Sequence, residues 1–229
     1  MLAAAFATLT INCAHADDLT ITGWQYGGPP DVNISLAGQS IAGNAAGAAV
    51  DVYAGAYSIS ASSGPLAGQS FIAYCADVVK SDRVGLPATN YTSGDLATTF
   101  GPTKANDFLK LASAHYASVN NATSSAAFQI AAWEIFFESG NNSYDLSNGS
   151  FKAVGGSAAT AGALSSAQNW LNTLSSVTPS AQYTATLFHV ESGNQDIVAL
   201  LPVPEPETYA MLLSGLGMLG LIARRRKIA

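Results

Sequence analysis

Charge is what this chain has least of. Only 10% of its 229 residues are charged, 9 Lys and Arg against 15 Asp and Glu, where about a quarter is usual. The formal net charge is -6 and the isoelectric point about 4.8, which excludes a nucleic-acid partner, since phosphate contacts need clustered Lys and Arg. No Lys or Arg precedes Lys80. Four of the nine basic residues sit together at Arg224, Arg225, Arg226 and Lys227, leaving 5 basic against 15 acidic groups before them, a net of -10. Cysteine is scarce too. Cys13 and Cys75 are the only two, so there is no disulfide framework. One cysteine in the body with two scattered histidines, His115 and His189, makes no zinc site. No Gly-rich stretch matches a phosphate loop, and the aspartates never take calcium-loop spacing. Neither a metal nor a cofactor is therefore expected. An apolar fraction of 48% is too high for a disordered tail protein, and the length suits one domain with sorting segments.

Both ends read as such segments. Leu2 to Ile11 is an apolar run, and Ala14-His15-Ala16 is a small-x-small cleavage signal followed by the polar Asp17-Asp18. Residues 1–16 are expected to be a secretory signal peptide. It lacks a basic start, which suggests that the true signal begins further upstream. A buried N-terminal helix is the other reading of this run.

At the other end, Tyr209 to Ala223 is apolar or small throughout and is followed by the basic cluster 224–227. As a helix it would span roughly 22 Å, a short transmembrane segment, which snorkelling Arg224, Arg225 and Arg226 would extend. Positive flanks stay cytoplasmic, so the body lies outside. Just before the helix stands Val203-Pro204-Glu205-Pro206-Glu207-Thr208, whose prolines favour an extended strand that a protease groove can read. The order of Pro-Glu-Pro, apolar helix and Arg cluster over 203–229 resembles the PEP-CTERM sorting signal of Gram-negative bacteria. That resemblance implies recognition by an exosortase-type membrane protease, passage through the inner membrane, and an address in the envelope or extracellular matrix of a biofilm, where exopolysaccharide is a further candidate partner.

Residues 17–202 form the extracytoplasmic body. Leu19-Thr-Ile-Thr-Gly alternates with period two, and Val32–Leu36, Val50–Ser60 and Ser70–Ala76 are further strand candidates between Gly, Ser and Pro clusters. Helices are expected over Pro102–Ser118, with Thr103 as its cap, Thr123–Ser139, and roughly Ala158–Leu174. Strand character returns at Gln182–Val190 and Gln195–Leu201. The fold class is α+β: an antiparallel sheet or sandwich with an inserted region of two to three helices, plus the C-terminal transmembrane helix.

Cys75 ends an apolar strand in Phe71-Ile72-Ala73-Tyr74-Cys75-Ala76-Asp77. A lone cysteine in an exported body is a buried thiol, an interchain partner, a protease nucleophile, or part of an internal bond. Gln129 and Trp133 lie four apart on one helix face in Phe128-Gln129-Ile130-Ala131-Ala132-Trp133, and Gln195 stands in Asn194-Gln195-Asp196-Ile197-Val198. These three blocks, in this order, resemble the thioester domains of bacterial surface adhesins. The resemblance implies that Cys75 is cross-linked to the side-chain carbonyl of Gln195 with loss of ammonia, and that Tyr74, Asp77, Gln129 and Trp133 support the bond. Thiolate is a good leaving group, so an amine or hydroxyl on a target surface would attack the acyl carbon and the body would become covalently attached. Such a protein is a single-use binder and not an enzyme. The alternatives are a non-covalent structural or ligand-binding matrix protein in which Cys75 is a buried thiol, and, more remotely, a cysteine hydrolase using His115 or His189.

Overall fold

A computed structural model describes residues 16–203 except 82, 83, 86, 141, 142, 156, 192 and 193, together with 214, 215 and 218. The alternating stretches become strands β1 (Ala16–Trp24), β2 (Asp31–Leu36), β3 (Val50–Tyr53), β4 (Tyr57–Ala61) and β5 (Ser70–Cys75). In β2 and β4 every second residue is buried, as a sheet with one face on the core requires. The expected strand Val50–Ser60 is two strands, not one, because the chain breaks at Ala54-Gly55-Ala56 and changes sheets. Gly55 sits close against Pro29 there: a Cβ would stand 3.1 Å from Pro29 Cβ, a tight contact.

After β6 (Pro87–Asp95) come α1 (Leu96–Phe100), α2 (Pro102–His115) and α3 (Ala122–Phe137), then β7 (Phe151–Val154), α4 (Ala158–Thr173), β8 (Tyr183–His189) and β9 (Ile197–Pro202). The helix expected over Pro102–Ser118 does start at Pro102, but its N-cap is Gly101 and not Thr103, since proline suits the first helical position. Asn121 caps α3: its side chain accepts from Ser124 N–H, and Ser124 returns the bond to the Asn121 backbone.

Six strands close into a barrel in the order β1-β4-β5-β9-β8-β6, every pair antiparallel, and β3-β2-β7 form a separate three-stranded sheet. The antiparallel sheet and helical insert agree with expectation, but the larger sheet closes on itself instead of stacking as a sandwich. Closure leaves no unpaired edge in it. Two strands escape sequence reading. β6 opens with proline and carries Asn90 and Gly94, and β7 is four residues long with Lys152 in it.

Helix α3 is buried on nearly every face, twelve of its sixteen residues, and packs against α2, α4 and β7. A helix apolar all round belongs inside, so the three polar side chains it carries inward, Ser125, Gln129 and Glu134, need partners. The signal segment before Ala16 lies outside the described residues. Of the expected transmembrane span only Ser214, Gly215 and Met218 are described, all helical. Among the described residues no helix is long and apolar enough to cross a membrane.

Candidate functional site: the Cys75–Gln195 pocket

Cys75 is the last residue of β5, 2% exposed, and forms no disulfide. It faces Ile197 in β9, but on its other side β4 has already ended, its first residue Tyr57 pairing with Ala73. The Cys75 backbone would be left without a strand. Gln129 fills the gap. Its side-chain Oε1 accepts from Cys75 N–H at 2.8 Å, and its Nε2 donates to Cys75 C=O at 2.9 Å. A fully buried amide reproduces the two bonds of a strand partner and fixes the cysteine against α3.

The turn after β5 is held by Asp77. Its carbonyl accepts from Cys75 Sγ at 3.0 Å, and its carboxylate accepts from Val79 N–H at 2.8 Å. Lys80 reaches back across the turn: Nζ donates to Val190 C=O at 2.6 Å and lies 3.1 Å from Asp196 and 3.4 Å from Asp77. Asp196 also accepts from Val190 N–H and pairs with His189 Nδ1 at 2.7 Å. This half-buried network ties the β5 turn to the start of β9.

That tie brings Gln195 to Cys75. Ala76 N–H donates to Asp196 C=O at 2.8 Å, and Cys75 and Gln195 line one pocket of about 200 Å³ together with Ile34, Tyr57, Lys80 and Trp133. The Gln195 amide is held at both ends. Tyr57 OH donates to Oε1 at 3.3 Å, and Nε2 donates to Lys80 C=O at 2.6 Å. Lys80 C=O can only accept, so the NH2 end must face it and the carbonyl must face Tyr57. The Gln195 backbone is anchored as well, its C=O accepting from Tyr91 OH at 2.9 Å. Burial, then the Asp196 carboxylate and Cys75, push the Tyr91 hydroxyl well up, so it stays a neutral donor. The pocket reaches solvent past Asp51, Ser81 and Tyr53, the last 59% exposed.

Five of the six residues expected at the bond gather around the sulfur, all but Tyr74. Cys75, Gln195 and Trp133 line the pocket, and Gln129 grips the Cys75 backbone. Trp133 is 3% exposed and its indole N–H has no hydrogen-bond partner among the described residues. Asp77 touches the sulfur through its carbonyl, not its carboxylate. Tyr74 is turned to the opposite side of the strand, against Phe128 at 4.7 Å and Tyr116 at 6.4 Å, and does not line the pocket. Burial, followed by Tyr116 and Tyr26, raises its hydroxyl. Sequence reasoning missed Tyr57, Tyr91, Lys80 and Asp196. A signal existed for two of them: Lys80 is the first basic residue of the chain, and Asp196 directly follows Gln195.

Neither histidine lines the Cys75 pocket. His115 stacks on Trp170 at 4.6 Å, where burial lowers its pKa, and His189 is committed to Asp196. No group of three or more His, Cys, Asp or Glu that could hold a metal occurs among the described residues. Of the sorting motif, Val203 is described, its N–H donating to Gln182 C=O at the end of the barrel. Pro204, Glu205, Pro206 and Arg224, Arg225 and Arg226 lie outside the described residues.

No curated protein matches the chain. Among solved structures, the N-terminal domain of the Streptococcus pyogenes pilus tip adhesin Cpa is similar at 12% identity and a TM-score of 0.45, over 80% of this chain and 100% of that one. A likeness of that size is too slight to establish a common fold. The C-terminal match is of another kind: residues 202–227 fit the PEP-CTERM protein-sorting motif, so the chain carries the address of an exosortase substrate, a secreted protein processed at the membrane for the cell envelope.

Proposed function

We propose that the body of this exported protein is a covalent adhesin, armed by a thioester between Cys75 Sγ and the side-chain carbonyl of Gln195. The observation that carries the reading is the shared pocket: a buried thiol at the end of β5 and a glutamine amide gripped at both ends, two residues before the antiparallel partner strand β9. Forming the bond joins Sγ to Cδ and breaks Cδ–Nε2, and the thiol hydrogen leaves with the nitrogen as ammonia. An amine or hydroxyl of a target surface then attacks the same carbon. Cys75 leaves as a thiol, and Gln195 becomes the covalent link. Before processing, the helix over 209–223 would hold the chain in the inner membrane, with Arg224, Arg225 and Arg226 on the cytoplasmic side. Exosortase cleavage near Pro204–Pro206 would then release the body to the envelope or matrix, with exopolysaccharide among its candidate partners.

A second reading has its own support. Sγ already donates to Asp77 C=O, and both ends of the Gln195 amide are satisfied, an arrangement that suits a matrix protein in which Cys75 is a structural thiol. Intact mass separates the two. The full-length chain, kept in detergent without amine buffers, should be lighter than its sequence by one ammonia, and methylamine should add its whole mass on Gln195. A Cys75→Ala variant should show neither change. A wild-type mass equal to that of the sequence, with Cys75 open to thiol reagents after unfolding, favours the matrix protein.

A further inference from the structure

Of the Gln195 amide, every step of this chemistry retains the carbonyl group, and Oε1 is its polar atom. Nitrogen departs when the thioester forms and sulfur departs when a target attacks, but the carbonyl oxygen stays, and in both steps it becomes the oxyanion of a tetrahedral intermediate. Tyr57 OH points at that atom from 3.3 Å. Such a distance is long for a hydroxyl donor, whose usual range ends near 3.0 Å. A neutral amide oxygen holds it only loosely. An oxyanion draws the same donor in to about 2.6 Å, so the contact is stronger in the transition state than before it.

Resting on the thioester reading, we propose that Tyr57 is a catalytic residue of this site, its hydroxyl the donor that stabilises the oxyanion at Gln195 Oε1 both when Cys75 closes the bond and when a target amine opens it. The surroundings fix it for that task. Tyr57 is 3% exposed and its ring stacks on Trp24 at 4.6 Å and 30°, which holds the side chain in one rotamer. Its position as the first residue of β4, paired with Ala73 two residues before Cys75, sets it beside the sulfur's strand. Lys80 C=O holds the departing NH2 on the opposite side of the carbonyl carbon, and Tyr91 keeps the Gln195 backbone from moving as the bond changes. Atoms balance without any co-reactant. Closure converts a thiol and an amide into a thioester and ammonia, the thiol hydrogen ending on nitrogen. Opening converts the thioester and an amine into an amide and the Cys75 thiol.

The test compares full-length wild type with Tyr57→Phe, which removes the hydroxyl and keeps the ring. Two quantities are read by mass: the fraction of chains lighter by one ammonia, and the rate at which methylamine adds to them. Tyr57→Phe should close the bond in a smaller fraction of chains, and those that close should react more slowly by roughly 10²-fold, the usual loss for one oxyanion donor. Equal fractions and equal rates overturn the role of Tyr57 and leave the thioester standing. A wild type with no mass deficit overturns both. Should Tyr57→Phe fail to fold, a fluorinated tyrosine at position 57 keeps the shape and strengthens the donor. Methylamine addition should then be faster, and an unchanged rate overturns the proposal.

Discussion

Two residues of α3 show how much a single buried side chain decides here. Gln129 has no counterpart in the strand register. It exists to satisfy a cysteine whose neighbouring strand has ended, and its removal strands a buried N–H and C=O together. Gln129→Ala should cost about 2–5 kcal/mol, one to a few for each orphaned group, read as a fall in the urea midpoint at unchanged slope. Glu134 is the opposite case, a carboxyl whose burial is poorly compensated. Its Oε1 accepts from Asp145 N–H at 2.8 Å, but Oε2 has no partner among the described residues. Burial raises its pKa to about 8 against the weaker opposing pull of the Asp145 N–H. The folded state therefore keeps a proton that the unfolded chain releases near 4.5. Stability from this group is whole below that value and is lost as pH rises through about 8. Glu134→Gln should remove the slope, so that its melting temperature gains on the wild type steadily from about pH 5 to about pH 9.

At the scale of elements, the ends of α3 matter as much as its middle. Asn121→Ala removes the acceptor that caps Ser124 N–H and should cost about 1 kcal/mol, measured by thermal unfolding. At the far end, Glu138 is 5% exposed and its carboxylate collects the N–H groups of Ser139, Gly140 and Ser150, gathering the loop that leads into β7. Gly149 stands in that loop with φ +116, and a Cβ there would collide with the Glu138 carboxylate. Gly149→Ala should destabilise by roughly 2 kcal/mol or more, combining backbone strain with the clash. Helices α2, α3 and α4 were legible in the sequence because their apolar spacing and stop signals are local, while the five-residue α1 is too short to show a period. β6 and β7 were not. β7, in the smaller sheet, has only four residues in which to alternate, and β6, inside the closed barrel, has Tyr91 alone among the largest fully buried side chains.

For the whole molecule, the order of the barrel is the decisive fact. β9, the last strand before the sorting motif, is inserted between β5 and β8, so the residue next to Gln195 in the chain and the residue next to it in space come from opposite halves of the body. A chain stopped after Val203 should melt with the full-length body. One stopped before Ile197 loses the strand that closes the barrel and should fail to fold, as thermal unfolding followed by circular dichroism would show. The sorting motif at 202–227 accordingly begins where β9 ends.

The sequence by itself determined the address and the cast. The Pro-Glu-Pro run, the apolar stretch and the Arg cluster are read by a partner as linear signals, so their meaning is complete without folding. Helical spacing put Gln129 and Trp133 on one face, but their tie to Cys75 came only from the resemblance of the three blocks to thioester domains. Only the tertiary structure decided that Tyr57, Tyr91 and Lys80 belong with Gln195 and that Tyr74 does not. Strand alternation turned Tyr74 away from its neighbour Cys75, and barrel closure carried Tyr57 to a partner 138 positions along the chain. Register and closure depend on contacts between distant segments, and no local pattern in the chain encodes which side chain will face a given carbonyl across a sheet.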